Sequence, residues 1–390
     1  MSISEILNIS RTEETKISDW YFGIDRKIIV SILLLVCISI ITIYSTGSLK
    51  AINLGLPSYS LLLKMIPWYF IGLSSLIILS FGNKKFVLTI SFVNFLVCSI
   101  LLLITVFHPY VINGSTRWAD LGFIKLMPTD LMKPGFIITT AWFLSKMKKT
   151  YGQQILWNKD AWKFKALSWL TYFSITLPLL FIIFRHPDVG SFLLYFSVLI
   201  AMLFVASMSI FEAIIFSILV FLGGGIGAYL LNMEHIKNRI LKFFVEGGTE
   251  QTKWSIKTIQ NGGLFGKWDK AYVKQHLPDS HTDFIFSATI EDFGAILTCL
   301  VILGVYLYIL KKLLDNARKA RDPFVFYSIV GVLAMFGGQV CINIISALNL
   351  FATKGMTLPF ISYGGSSFIA YCSMFGLLLA IINEDKWRQL

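Results

Sequence analysis

The run IIVSILLLVCISIITIYSTG, residues 28–47, contains no Asp, Glu, Lys, Arg or His. As a helix rising about 1.5 Å per residue it is about 30 Å long, the thickness of a bilayer's hydrocarbon core. Comparable apolar runs occupy residues 61–81, 87–107, 131–144, 166–184, 189–207, 210–231, 284–310, 325–350 and 366–383, so the pattern predicts ten spans. The fourth is short, with Pro128 as its earliest start. Composition agrees. With 56% hydrophobic residues, 14% charged residues and a mean hydropathy of +0.71, the chain has more apolar surface than a soluble domain of 390 residues can hide.

The predicted fold is an all-α polytopic membrane protein of about ten transmembrane helices, with a large extracytoplasmic loop between spans 7 and 8. Residues 1–27 are expected to form a cytoplasmic tail, 28–383 the membrane domain with its loop at about 232–283, and 384–390 a second cytoplasmic tail. Cys37, Cys98, Cys299, Cys341 and Cys372 each fall in an apolar run without a CxxC pair, so neither disulfides nor a metal site is expected. The first 27 residues lack the features of a removable signal peptide, leaving the first span to direct insertion.

Orientation follows from Lys and Arg. With the N-terminus inside, 19 of the 34 basic residues collect on the cytoplasmic side, seven lie in or beside the short outer loops and eight lie in the long loop. Both termini are then cytoplasmic. The same excess accounts for much of the +12 net charge, so nucleic acid is not expected as a partner.

The predicted outer face carries the segments with chemistry. GSTRWADLGFIKLMPTDLMKPGF, Gly114 to Phe136, offers Arg117 and Trp118 as interfacial anchors, with Lys125, Asp130 and Lys133 around the start of the fourth span. Asp130 and Lys133 are three apart and can pair on one helical face. HPDVGS carries Asp188 in a short turn. In the long loop, Lys253, Lys257, Lys267, Lys270 and Lys274 alternate with aromatics and glycines, a pattern suited to anionic headgroups or a diphosphate. Gly262 and Gly263 permit close backbone approach. LPDSHTDFIF sets His281 and Asp283 where an apolar helix begins. There Ser280 and Asp283 are also spaced for helix capping, so a structural and a chemical role stand about even. TKGMTLPFISYGGSSF, Thr353 to Phe368, contains Lys354, Ser362 and Tyr363, and its Pro359, Gly364 and Gly365 require backbone that re-enters the bundle or lines a cavity.

Taken together, GSTRWADLG with PTDLMK, HPDVGS, GGLFGKW, LPDSHTDFIF and TKGMTLPFISYGGSS resemble, in order, the motifs of the SEDS family of shape, elongation, division and sporulation proteins, typified by RodA and FtsW. The resemblance runs from about Trp20 to the end and is closer to the division branch, through DWYFGIDRKII, KPGFIITTAWFLSK and QTKWSIKTIQNGGLFG. Three positions depart from the family pattern. Asp130 stands for the usual Glu, Met127 for a usual Gln, and Trp268 interrupts the usual GxG.

The resemblance implies an inverting glycosyltransferase of a bacterial cell (inner) membrane that polymerises lipid II onto a growing glycan strand, with undecaprenyl diphosphate as leaving group. It implies Asp283 as the base. It also implies Arg117, Lys125, Lys133 and Lys354 as candidates for the diphosphate, with Asp130, Asp188, Lys267, Lys274, His281, Ser362 and Tyr363 completing the substrate side. A class B penicillin-binding protein transpeptidase and other divisome proteins are the expected partners. No cofactor is required by this reading, and a divalent cation, Mg or Mn, is left open. Two other classes remain: a flippase of the same lipid, and a non-catalytic divisome scaffold. A flippase is disfavoured because ionisable residues are scarce in the runs, with Lys64, Glu212, Glu291 and Asp292 expected near ends or interfaces.

Overall fold

The computed structural model describes residues 16–53, 55–108, 110–112, 115–120, 122, 125–151, 162–186, 188–206, 214, 218, 243, 245, 247–350 and 356–387. Among them, eight helices are long and apolar enough to cross a membrane. In chain order the helices are α1 (Lys16–Gly23), α2 (Arg26–Asn53), α3 (Ser60–Ser80), α4 (Lys84–Phe107), α5 (Pro128–Leu131), α6 (Lys133–Tyr151), α7 (Trp162–Arg185), α8 (Val189–Ala206), α9 (Glu250–Gly262), α10 (Ile285–Thr298), α11 (Gly304–Lys319), α12 (Pro323–Ala347) and α13 (Gly365–Trp387). Nine of the ten sequence-predicted spans thus appear as helices, α10 and α11 forming one of them; the seventh, 210–231, lies almost wholly outside the described residues.

The structure adds two elements. Residues 16–23 of the predicted N-terminal tail form α1, which docks: Trp20 Nε1 donates to Ser80 Oγ at 2.7 Å and its ring stacks on Phe81 with centroids 4.5 Å apart. The segment before α5 also holds regular structure. Three short antiparallel strands, β1 (Tyr110–Ile112), β2 (Ser115–Asp120) and β3 (Lys125–Leu126), pair Tyr110 with Trp118 and Asp120 with Lys125.

The helix α13 is the centre of the bundle, with 83% of its span window buried, and it packs most extensively against α3. Small residues permit this. A Cβ on Gly72 would lie 2.5 Å from the Phe368 ring, and one on Gly376 would lie 2.7 Å from the Leu76 carbonyl. α12 packs against α6 and α8, and its buried Phe336 meets Tyr306 of α11 and Tyr371 and Phe375 of α13. Outward faces of α3 and α4 carry exposed Phe70, Ile78, Leu96 and Ile100, as lipid-facing surfaces should.

The predicted eighth span is broken. At Gly294 the backbone leaves helical geometry (φ 83°, ψ 160°), and a π-helical turn, Cys299–Leu303, follows before α11. The groups released by the break are met by the GGLFG stretch. Ala295 N donates to Gly263 O at 2.9 Å, Ile296 N to Leu264 O at 3.2 Å, and Lys267 N to Glu291 O at 2.8 Å. The glycines approach this backbone, where the sequence suggested approach to a ligand.

Replacing Gly294 or Gly266 by Ala should therefore lower thermal stability in detergent. Each has positive φ, and each added Cβ would lie 2.3 Å from a carbonyl oxygen, of Leu264 or of Asp292. Backbone strain alone costs about 1–3 kcal/mol. Gly304→Ala, a helical position with nothing within 4 Å, should change stability by less than about 1 kcal/mol. Equal melting temperatures for all three variants would show that the break does not depend on these glycines.

Candidate active site

A cavity of about 430 Å³ opens at the end of the bundle where α6, α8, α10 and α13 begin, within the size range of small-molecule sites. Arg117, Trp118 and Lys125 of the strand segment wall one side; Asp279, His281, Thr282 and Asp283 wall another; Thr357, Tyr363, Ser366 and Trp68 complete it. Asp130 reaches the same cavity.

The turn bearing Asp283 is built by Asp279, whose φ of 55° is a left-handed conformation that Asp tolerates. Its carbonyl accepts from the amides of Thr282, Asp283 and Phe284 at 3.1, 3.1 and 3.2 Å. The turn is then stitched to the re-entrant LPFISYG segment. Tyr363 N donates to His281 O at 2.9 Å, Ser362 Oγ donates to Thr282 O and accepts from Leu358 N, and Asn343 Nδ2 donates to Asp283 O at 2.9 Å. The N-cap of α10 is Phe284, the residue after Asp283, and it makes no side-chain cap hydrogen bond.

Arg117 is held by Asp188, with Nη1 3.3 Å from Asp188 Oδ1. Burial lowers the pKa of this guanidinium, but the surrounding carboxylates of Asp188, Asp283 and Asp130 outweigh it and raise the pKa, so the charge is secure. Asp188 is buried, accepts from Ser191 N at 3.2 Å at the start of α8, and stands behind Arg117 instead of lining the cavity. His186 beside it is pushed below its usual pKa by burial, against the pull of Asp188, and remains neutral; its Nε2 is 3.1 Å from Thr105 Oγ1.

Beneath the cavity, Lys133 is 1% exposed. Its Nζ donates to Asp130 Oδ1 and Gln339 Oε1, both at 2.6 Å, and lies 4.8 Å from the Tyr371 ring centre. The shorter Asp thus still reaches its predicted partner. Tyr371 OH also donates to Gln339 Oε1 at 2.6 Å, while Gln339 Nε2 donates to Thr357 O at 2.7 Å. Gln339, Asn343 and Tyr371 were not legible as site residues, because each is a lone polar group in an apolar run.

Several candidates lie elsewhere. Lys133 is occupied beneath the floor, and Ser362 is spent on the backbone stitch. Lys267 is exposed away from the cavity and donates to Asn261 Oδ1 at 2.8 Å. Lys274 is buried, ion-paired with Asp292, and donates to Ser45 Oγ at 2.8 Å, so it is no interfacial headgroup contact. Lys354 is outside the described residues. Among the described residues no group of three or more His, Cys, Asp or Glu is arranged to hold a metal ion.

The cell cycle protein family of FtsW, RodA and SpoVE matches residues 25–387. A probable peptidoglycan glycosyltransferase FtsW of Caulobacter vibrioides is 30% identical over 96% of this chain and 93% of its own length. A protein of the same name from Aliivibrio salmonicida is 27% identical over 95% and 93%. Among solved structures, a chain from a peptidoglycan synthase complex that coordinates polymerization and crosslinking superposes with a TM-score of 0.74 at 22% identity, covering 93% of this chain and 98% of that one. The rod shape determining protein RodA of Thermus thermophilus superposes with a TM-score of 0.65 at 23% identity, covering 93% and 97%. At these identities the structural likeness speaks for the fold.

The buried Lys133–Asp130 pair makes a stability test. Lys133→Met strands a carboxylate and should cost about 3–5 kcal/mol, whereas Lys133→Met combined with Asp130→Leu should recover much of that loss. Thermal unfolding of both variants checks it. A double variant no more stable than the single one would show that the two side chains are not coupled.

Proposed function

Because the chain belongs to the FtsW, RodA and SpoVE family of cell cycle proteins, we propose that it is a peptidoglycan glycosyltransferase polymerising lipid II into β-1,4-linked glycan strands, in septal wall synthesis. The observation that carries this reading is one cavity lined by both a carboxylate, Asp283, and a partly buried guanidinium, Arg117, held by Asp188. An inverting displacement requires that pair of charges.

In the proposed reaction the Asp283 carboxylate takes the proton of the acceptor 4-hydroxyl as its oxygen bonds to the donor's anomeric carbon. The bond from that carbon to the diphosphate breaks, and its electron pair leaves on the phosphate oxygen of undecaprenyl diphosphate. The α linkage becomes β in one step. Arg117 faces the charge that develops on the leaving group, and Lys125 at the half-exposed rim adds to it. Asp188 acts through Arg117 by holding it. Orientation by the stitched turn supports the rate by fixing the carboxylate before substrate arrives.

The protein is multi-pass. Its termini are cytoplasmic and the cavity extracytoplasmic in this proposal, supported by the Lys and Arg asymmetry. A class B penicillin-binding protein is the proposed partner, supported by the fold relative that belongs to a synthase complex. A flippase is the weaker reading. Glu291 and Asp292 are more deeply buried than the sequence suggested, but they sit about 10 Å into α10 and are already matched, Asp292 by Lys274 and Glu291 by the amides of Val273 and Lys274. A row of charges across the bundle is not formed by the described residues.

Two outcomes are expected. Reporter fusions at Gly248 and Leu390 should fall on opposite sides of the membrane; placement on one side overturns the topology. Asp283→Asn should lower lipid II polymerisation by purified protein, with its partner present if needed, by roughly 10² to 10⁴ fold, since Asn cannot accept the proton. Its melting temperature should stay near wild type, because Asn is nearly isosteric with Asp, keeps most of its capping ability, and the stitch uses backbone groups. A wild-type rate would remove Asp283 as the base.

A further inference from the structure

The bundle contains a second cavity, of about 670 Å³, lined by Arg26, Lys27, Lys312, Lys386, Asp25 and Trp387 among others. It is at the opposite end. Gly365 lines the first cavity and Trp387 the second, and the helix joining them is about 34 Å long.

Four cations face this space with one carboxylate, and Asp25 already accepts from Asn316 Nδ2 at 3.1 Å. Among the described residues none of the four cations forms an ion pair. Lys386 Nζ is 3.3 Å from the Gly23 carbonyl, and Arg26 is fixed over the Tyr21 ring at 4.7 Å. The candidate active site differs in kind, since there Arg117 is matched by carboxylates. The elements around the second cavity lie toward span ends: the first turn of α2, the last turn of α13, α1, and α11 at Lys312, just beyond the apolar run that ends at 310. Span ends lie at headgroup depth, and the exposed Trp387 ring is the side chain expected at that depth.

We propose that this cavity binds the phosphate of an anionic phospholipid in the leaflet on the side of the termini. A soluble anion would be served by the cations alone. The apolar walls of Phe22, Ile24 and Trp387 beside them fit a ligand whose phosphate is joined to acyl chains. The lipid then ties the first and last spans together at one end, where protein contacts leave a gap.

The test uses full-length purified protein and native mass spectrometry with phosphatidylglycerol or phosphatidylcholine. Wild type should retain phosphatidylglycerol in preference. Lys312→Gln with Lys386→Gln should weaken that retention roughly twenty-fivefold, the product of about fivefold for each cation. Lys312→Arg with Lys386→Arg should keep it. Lys85→Gln should leave it unchanged; Lys85 is an exposed cation at the same end of the bundle, where the adjacent Lys84 amide bonds Glu384. If the double Gln variant does not fold, Lys27→Gln alone should weaken retention about fivefold. Equal retention of the two lipids, or an equal loss in Lys85→Gln, overturns the proposal. Displacement of phosphatidylglycerol by millimolar inorganic phosphate also overturns it, by making free phosphate the ligand.

Discussion

In hydrocarbon a backbone amide without a partner costs several kcal/mol, and a helix broken inside a membrane protein must find substitutes within the chain. The break at Gly294 obeys this constraint. Its freed amides are satisfied by carbonyls of Gly263 and Leu264, and Glu291 returns the favour by accepting the amides of Val273 and Lys274 with its carboxylate. A segment that leaves the membrane is thereby pinned to the helix that re-enters it. Because the Asp283 turn lies between these two attachments, its position follows from how the break is healed.

The same economy recurs at the cavity. Two irregular segments, around His281 and around Ser362, would each expose unpaired backbone if buried alone. They satisfy each other through Tyr363 N and Ser362 Oγ, and Asn343 joins both by donating to Asp283 O and Met356 O. Below them Gln339 uses both ends of its amide, accepting from Lys133 and Tyr371 and donating to Thr357. The carboxylate and guanidinium of the cavity are therefore fixed by neighbours that have no reason to touch substrate.

How much of this was legible depended on the range over which each signal acts. Spans were readable because apolarity is a local property summed over about 20 residues. The Asp130–Lys133 pair was readable for a similar reason, being three residues apart. The Lys274–Asp292 pair was not: the lysine sits in a loop of mixed charge and its partner in an apolar run, and nothing local joins them. Gly294 reads in sequence as a tolerated glycine in a long span; its positive φ is set by the tertiary contact with GGLFG. Ser362 was readable as a polar residue in a re-entrant segment, but whether its hydroxyl faces a ligand or a carbonyl is decided by a strand of chain about 80 residues away.

The central position of α13 has a consequence for biosynthesis. The most deeply buried of the described spans is also the last of them in chain order, and its principal neighbour, α3, ends at Ser80, 285 residues before Gly365. At about 5–20 residues per second, α3 waits roughly 14 to 57 s for the surface that covers Gly72 and Leu76. During that interval its groove faces lipid or the insertion machinery. Ser366 and Ser367, which close the cavity wall, arrive at the same moment as the core. A nascent chain stalled before α13 holds the turn with Asp283 but neither a completed cavity nor a closed bundle, so the cavity and the bundle are completed together, when α13 arrives.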